Sequence, residues 1–177
     1  NLFFLDPGGG RWPFFYVLIN KNACSAFKRV FRRLSPALGA LADSAAPMKR
    51  VGDAMRRFHA AEPHDPLRDV HPTLCVVRDP WTRLVSAFTD KLVRLGGQGG
   101  GETFARAIRA ATGLDPMGLS IRALVETYVR PGLETLDPHL APQATLVPPG
   151  PVVLIPLEDL HERLAASPGY GYLANFF

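Results

Sequence analysis

The run Phe14-Phe15-Tyr16-Val17-Leu18-Ile19, followed by Asn20-Lys21-Asn22-Ala23-Cys24-Ser25-Ala26, decides the architecture. The apolar run is unbroken, short, and rich in aromatic and β-branched residues. That pattern predicts a strand buried on both faces, as in a parallel sheet. Phe27, Val30, Phe31 and Leu34 then recur at helical spacing, with Lys28, Arg29, Arg32 and Arg33 on the opposite face. The unit is strand, short polar loop, helix. It returns downstream: Thr73 to Val77 is a second buried-strand candidate. Pro80 sits near the following helix start, where its missing N–H costs nothing, and Leu84, Val85, Phe88 and Leu92 line one side of that helix. Val152 to Ile155 is a third strand candidate, leading into a helix from Leu157 to Leu164. Helical patterns also run from Met48 to Phe58, Thr103 to Ala111 and Leu119 to Tyr128. Ser35 to Pro47 reads as a linker and Gly96 to Gly101 as a flexible loop. Alternating strands and helices predict an α/β fold, a central parallel sheet flanked by helices. The length predicts a single domain over residues 1–177.

Hydrophobic residues make up 47% and charged residues 20%, the balance of a soluble globular chain. No apolar run approaches the roughly 18 residues of a membrane span, so stable membrane insertion is not expected. The net charge of +4 suits an anionic ligand. It is too mild, and too poor in basic runs, for a nucleic-acid partner. Cys24 and Cys75 stand 51 residues apart, without a Cys-x-x-Cys motif or paired histidines. They read as reduced thiols in or near the core, and no metal site is expected. The composition fits a cytoplasmic bacterial protein; the Golgi lumen is the alternative if this is the trimmed catalytic domain of a eukaryotic protein.

Two stretches carry chemistry. In Lys21-Asn22-Ala23-Cys24-Ser25-Ala26, small residues let the backbone approach an anion at a helix N-terminus, where N–H groups are free and the dipole is positive. Lys21 adds a point charge and Ser25 a hydroxyl. The plainer reading is an ordinary strand-to-helix turn with Ser25 as N-cap. Neither GxxxxGK[ST] nor GxGxxG occurs in the chain. In Val77-Arg78-Asp79-Pro80-Trp81-Thr82-Arg83-Leu84-Val85-Ser86, Arg78 follows a strand and Ser86 lies eight residues on. The guanidinium can fork onto a phosphate while Ser86 donates to it, and Asp79 suits a helix start. The plainer reading pairs Arg78 with a carboxylate and leaves Ser86 facing solvent.

Together these stretches resemble the sulfotransferases that use 3′-phosphoadenosine 5′-phosphosulfate (PAPS), and especially the carbohydrate sulfotransferases of family 2 that modify chondroitin and related glycans. Tyr16 to Val30 looks like that family's 5′-phosphosulfate loop and Val77 to Lys91 like its 3′-phosphate motif. Asn20 stands where the family usually has proline. Asp137-Pro138-His139-Leu140-Ala141-Pro142-Gln143 is similar to an Asp-x-His-Trp-x-Pro-Gln segment, with Leu140 in place of tryptophan. Leu154 to Leu160 looks like the family's late strand and acidic helix start. The resemblance implies a P-loop-NTPase-like fold. It implies direct in-line transfer from PAPS to the hydroxyl of a carbohydrate or other small molecule, with 3′-phosphoadenosine 5′-phosphate (PAP) as product. It also implies nucleotide contacts at Lys21, Asn22, Ala23, Cys24, Ser25, Ala26, Phe27, Arg78 and Ser86, and a catalytic role for Lys21.

An attacking hydroxyl must lose its proton, and histidine is the usual acceptor near neutral pH. The resemblance places a base between the two phosphate motifs, which favours His59. His139 is the second candidate, and His64 and Glu62 are neighbours of the first. His71, beside Pro72, reads as packing, and His161 as structural. Two other classes stay open: a small nucleotide-dependent kinase, which should show a Walker lysine and an Mg²⁺-binding aspartate, and a PAP-binding module without turnover.

Overall fold

The computed structural model describes residues 2–38, 41, 48–96, 101–133 and 137–177. The expected linker of 35–47 and glycine loop of 96–101 therefore fall largely outside the described residues. Strand β1 (Leu2–Leu5) runs antiparallel to β2 (Phe14–Val17), which lies parallel to β3 (Thr73–Val77), which lies parallel to β4 (Val153–Pro156). The sheet order is β1-β2-β3-β4. The fold is α/β with a mostly parallel sheet, as expected. The antiparallel edge strand β1 was not among the expected elements.

All four residues of β2 are buried, which is why its sequence is apolar without alternation. The strand is shorter than the apolar run. Leu18 and Ile19 leave the ladder, although Ile19 is fully buried, and the Asn22 N–H donates to the Ile19 carbonyl at 3.2 Å, turning the chain. Alternation along the strands divides two cores. Phe14, Tyr16, Leu74 and Val76 face a cluster that includes Phe27, Val30 and Phe31 of helix α1 (Cys24–Leu34) and Val51 and Met55 of α2 (Met48–His59). Phe15, Val17 and Cys75 belong to a separate cluster with Leu2 and Ile19.

The chain divides into two units. One comprises the residues up to Val77 together with Leu146–Phe177 and contains the sheet; the other is Arg78–Thr145. The second unit holds α3 (Pro80–Phe88), continued by a π-helical segment Thr89–Arg94, then α4 (Glu102–Thr112) and α5 (Ile121–Leu124) with a π-helical extension Val125–Val129. Its core is built from Leu84, Ala87, Leu92, Phe104, Ile108, Leu124 and Tyr128. In the first unit, α6 (Leu160–Ala166) and α7 (Gly171–Ala174) follow β4. Among the described residues no helix is long and apolar enough to cross a membrane, and no group of three or more metal-ligating side chains forms.

Candidate active site

Strands β2 and β3 are parallel neighbours, so the chain leaves both at the same edge of the sheet. In open α/β sheets that edge is where ligands bind. The loop after β2 carries two non-glycine residues with positive φ, Lys21 (71°) and Ala23 (55°). Such backbone is costly for residues with a Cβ and persists where surrounding structure holds it. The hold is visible here. Asn22 is fully buried, its Nδ2 donates to the Val76 carbonyl of β3 at 2.9 Å, and Tyr16 Oη donates to the Asn22 carbonyl at 3.3 Å. The Tyr16 ring stacks on Phe27 at 3.8 Å, 10° from parallel. Burial pushes the Tyr16 phenol pKa well above its ordinary value, with Cys24 and Cys75 acting in the same direction.

Helix α1 begins at Cys24 with Ala23 at its N-cap, and no side chain caps it. A left-handed residue followed by helical ones turns successive N–H groups toward one side, the arrangement of an anion cradle. Ser25 is thus inside the first turn, not its N-cap, because the left-handed Ala23 already makes the entry. Two of the expected contact residues also have structural roles. The Phe27 ring is in the core and its N–H donates to the Ala23 carbonyl at 3.0 Å. The Asn22 Nδ2 and N–H are both engaged within the fold. Ala23, Cys24, Ser25 and Ala26 remain as the cradle, with Lys21 at its entrance.

The second constellation is held in the other unit. Asp79 caps α3, its Oδ1 accepting from the Thr82 N–H at 2.9 Å, and Pro80 opens the helix. Gln143 holds the Arg78 backbone from both sides: its Oε1 accepts from the Arg78 N–H at 2.9 Å and its Nε2 donates to the Arg78 carbonyl at 2.6 Å. Arg78 and Ser86 line one open groove of about 570 Å³, together with Trp81, Val85, Thr89 and Arg94. Asp90 is also in that wall, paired with Arg94 and, at 3.5 Å, with Lys91.

The histidines separate. His59 is half-buried at the C-terminal end of α2. Its Nδ1 donates to the Phe4 carbonyl at 3.0 Å and its Nε2 accepts from Ser35 Oγ at 2.6 Å. Ser35 caps the C-terminal end of α1, so His59 sits about 16 Å of helix away from the Lys21 loop. The structure does not bring these two residues together, and both ring nitrogens are spent. Burial lowers the His59 pKa, and its hydrogen bond to Phe4 opposes this. Glu62 and His64 are exposed. His71 packs on Phe4, ring centroids 5.7 Å apart, and His161 Nδ1 donates to the Ala174 carbonyl at 3.2 Å.

His139 is different. Its Nδ1 lies 2.8 Å from Asp137 Oδ1, which also accepts the His139 N–H at 2.7 Å. The Asp137 side chain is 1% exposed and that of His139 18%. A carboxylate only accepts, so Nδ1 carries the proton and Nε2 is left as the acceptor. Arg83, buried behind them, donates to the carbonyls of Ala141 at 2.7 Å and Pro138 at 3.1 Å. Burial lowers the Arg83 pKa and the charge of Asp137 opposes that. Nothing in spacing alone marks Asp137 or Gln143 as site residues; the Asp-x-His and Pro-Gln pairs inside the segment 137–143 are the only signals.

No curated protein and no solved structure gives a match. A model of the sulfotransferase family matches residues 10–123, more than half of the chain, and covers both the loop after β2 and the Arg78–Ser86 stretch. With a mostly parallel α/β sheet carrying an uncapped helix start after one strand, and an arginine–serine groove whose arginine directly follows its parallel neighbour, the chain belongs to the sulfotransferase family.

Proposed function

We propose that this sulfotransferase takes its sulfuryl group from PAPS and passes it to the hydroxyl of a carbohydrate or other small molecule, releasing PAP. The observation that carries the reading is the convergence of Arg78 and Ser86 on one groove, with the Arg78 backbone clamped by Gln143. A guanidinium and a hydroxyl there suit the 3′-phosphate that distinguishes PAPS from simpler nucleotides. The unspent amides of Ala23 to Ala26 and the Lys21 ammonium suit the 5′-phosphosulfate. When bound, PAPS supplies an activated sulfuryl group with a phosphate as leaving group.

Transfer is direct. The acceptor oxygen forms a bond to sulfur, the bridging S–O bond breaks, and its electron pair goes to the phosphate oxygen of PAP. Lys21 and the cradle amides stabilise the charge that grows on that oxygen. His139 Nε2 takes the acceptor proton, and Asp137 holds the ring so that this nitrogen is bare. This assignment replaces His59, whose nitrogens are both engaged. Cys24, half-buried at the helix start, is a wall of the cradle and not a nucleophile.

Titration calorimetry with PAP, with adenosine diphosphate, and with ATP and Mg²⁺ tests the donor. PAP should bind at least tenfold tighter than either. Tighter binding of ATP–Mg²⁺ would overturn the reading in favour of phosphoryl transfer. PAP binding with no sulfate transfer to any acceptor from labelled PAPS would reduce the chain to a binding module.

A further inference from the structure

A second groove, of about 430 Å³, opens beside His139 and is lined by Pro80, Trp81, Leu84, Val129, Leu140 and Pro142 among others. Its walls are almost wholly hydrocarbon. Besides the Trp81 indole, the polar side chains in the lining are Arg83, His139 and Gln143. Arg83 is committed to two backbone carbonyls and Gln143 to both sides of the Arg78 peptide. His139 lines the groove as well, with one ring nitrogen not engaged by Asp137.

This distribution discriminates between acceptors. A sugar brings several hydroxyls, and each one buried against Leu84, Val129 or Leu140 without a partner loses its hydrogen bonds to water. A molecule with one hydroxyl on an apolar skeleton leaves nothing unpaired: the hydroxyl meets His139 Nε2 and the skeleton meets hydrocarbon. Trp81, 64% exposed, offers a flat face at the rim, and aromatic rings gain from stacking on such a face. A phenolic proton, with a pKa of about 10, is also easier for an imidazole base to remove than that of an ordinary alcohol.

We propose that the acceptor is a small aromatic alcohol, a phenol by class, seated in this groove with its hydroxyl on His139. The inference rests on the assignment of His139 as base, but the groove's ligand preference is measurable without turnover. The test uses 2-naphthol as probe and N-acetyllactosamine as the competing sugar. Binding is followed by quenching of Trp81 fluorescence in a Trp12→Phe background, which removes the other tryptophan. The full chain saturated with PAP is used, and PAP affinity is measured separately by calorimetry. Ala144→Phe, at an exposed position in the groove wall, fills the space and adds no tryptophan.

The expected result is saturable quenching by 2-naphthol and none by the sugar, with naphthol affinity weakened at least tenfold by Ala144→Phe while PAP affinity is unchanged. Sulfated naphthol should form from PAPS. Binding of the sugar in preference to naphthol, or naphthol binding indifferent to Ala144→Phe, overturns the inference. Naphthol binding that is sensitive to Ala144→Phe but gives no sulfated product supports the groove's preference and instead removes the proposed transfer chemistry.

Discussion

At the scale of single residues, the roles assigned to charge and hydrogen bonding differ enough to be separated by measurement. Arg78→Ala should weaken PAP binding by roughly ten- to a hundredfold, since a hydrogen bond to a charged group is worth about 1.5–3 kcal/mol and each 1.4 kcal/mol is tenfold. A nucleotide lacking the 3′-phosphate should be barely affected in the same calorimetric titration; equal losses for both would make Arg78 structural. His139→Ala should lower kcat by about 10²–10⁴-fold, the usual contribution of a general base. PAP affinity should stay within twofold, because the base acts on the acceptor. Asp137→Asn should lower kcat as well and shift the pH–rate profile, because an amide no longer selects the tautomer with a bare Nε2. His59 behaves in another way. Its folded pKa lies below the ordinary value of 6.5 because burial disfavours the charged ring. Between those two values the unfolded state binds the extra proton, so stability rises with pH through that window and is lost as pH falls below about 6.5. Thermal unfolding followed by circular dichroism should show a lower Tm at pH 5.5 than at 7.5. His59→Gln should shrink that difference while leaving kcat within a fewfold of the parent.

Among the elements, the loop between β2 and α1 is the one whose shape carries chemistry. Two left-handed residues flank Asn22, and the buried Asn22 amide donating to Val76 holds them there. Asn22→Ala removes that bond and leaves the Val76 carbonyl without this donor, at about 1–3 kcal/mol. The expected outcome is a Tm several degrees lower, together with PAP affinity reduced at least fivefold. Unchanged PAP affinity in a destabilised variant would show that the loop keeps its shape unaided. The π-helical segment Thr89–Arg94 plays a comparable part after α3. It extends the helix past Ser86 and places Arg94 in the Arg78 groove, beside Asp90. Insertions of this kind shift the phase of side chains along a helix and recur at functional sites.

For the whole molecule, each unit has its own core, and the expectation of one domain over 1–177 predicts a single cooperative unfolding transition. Calorimetry should give equal calorimetric and van't Hoff enthalpies; two resolved transitions would make Arg78–Thr145 an independent domain. The thiols report on the same event. Cys75 is fully buried in β3, and burial pushes its pKa up to about 11. Half-buried Cys24 should react with a disulfide reagent in the native protein, and Cys75 only as the sheet opens.

The parts of this protein legible in its sequence are those that depend on local pattern. The run Phe14 to Ile19 and the run Thr73 to Val77 announce strands buried on both faces, because a strand covered on both sides has no polar position to show. The spacing of Phe27, Val30, Phe31 and Leu34 announces the face of α1, and Asp79-Pro80 announces the start of α3. The resemblance of the two phosphate-motif stretches agrees with the family match over 10–123. Tertiary structure alone decided the rest. Strand β1 pairs with β2 through backbone bonds that no side-chain pattern advertises. Phe27 reads as part of a loop motif and its ring stacks on Tyr16, and Asn22 of the same motif ties the loop to β3. Most plainly, His59 and His139 are indistinguishable as letters. One has both nitrogens consumed by Ser35 and Phe4; the other is held by a buried aspartate with one nitrogen left over. Which histidine keeps a lone pair is settled by groups 24 and 55 residues away in one case and two in the other, and only folding brings the distant ones within hydrogen-bond reach.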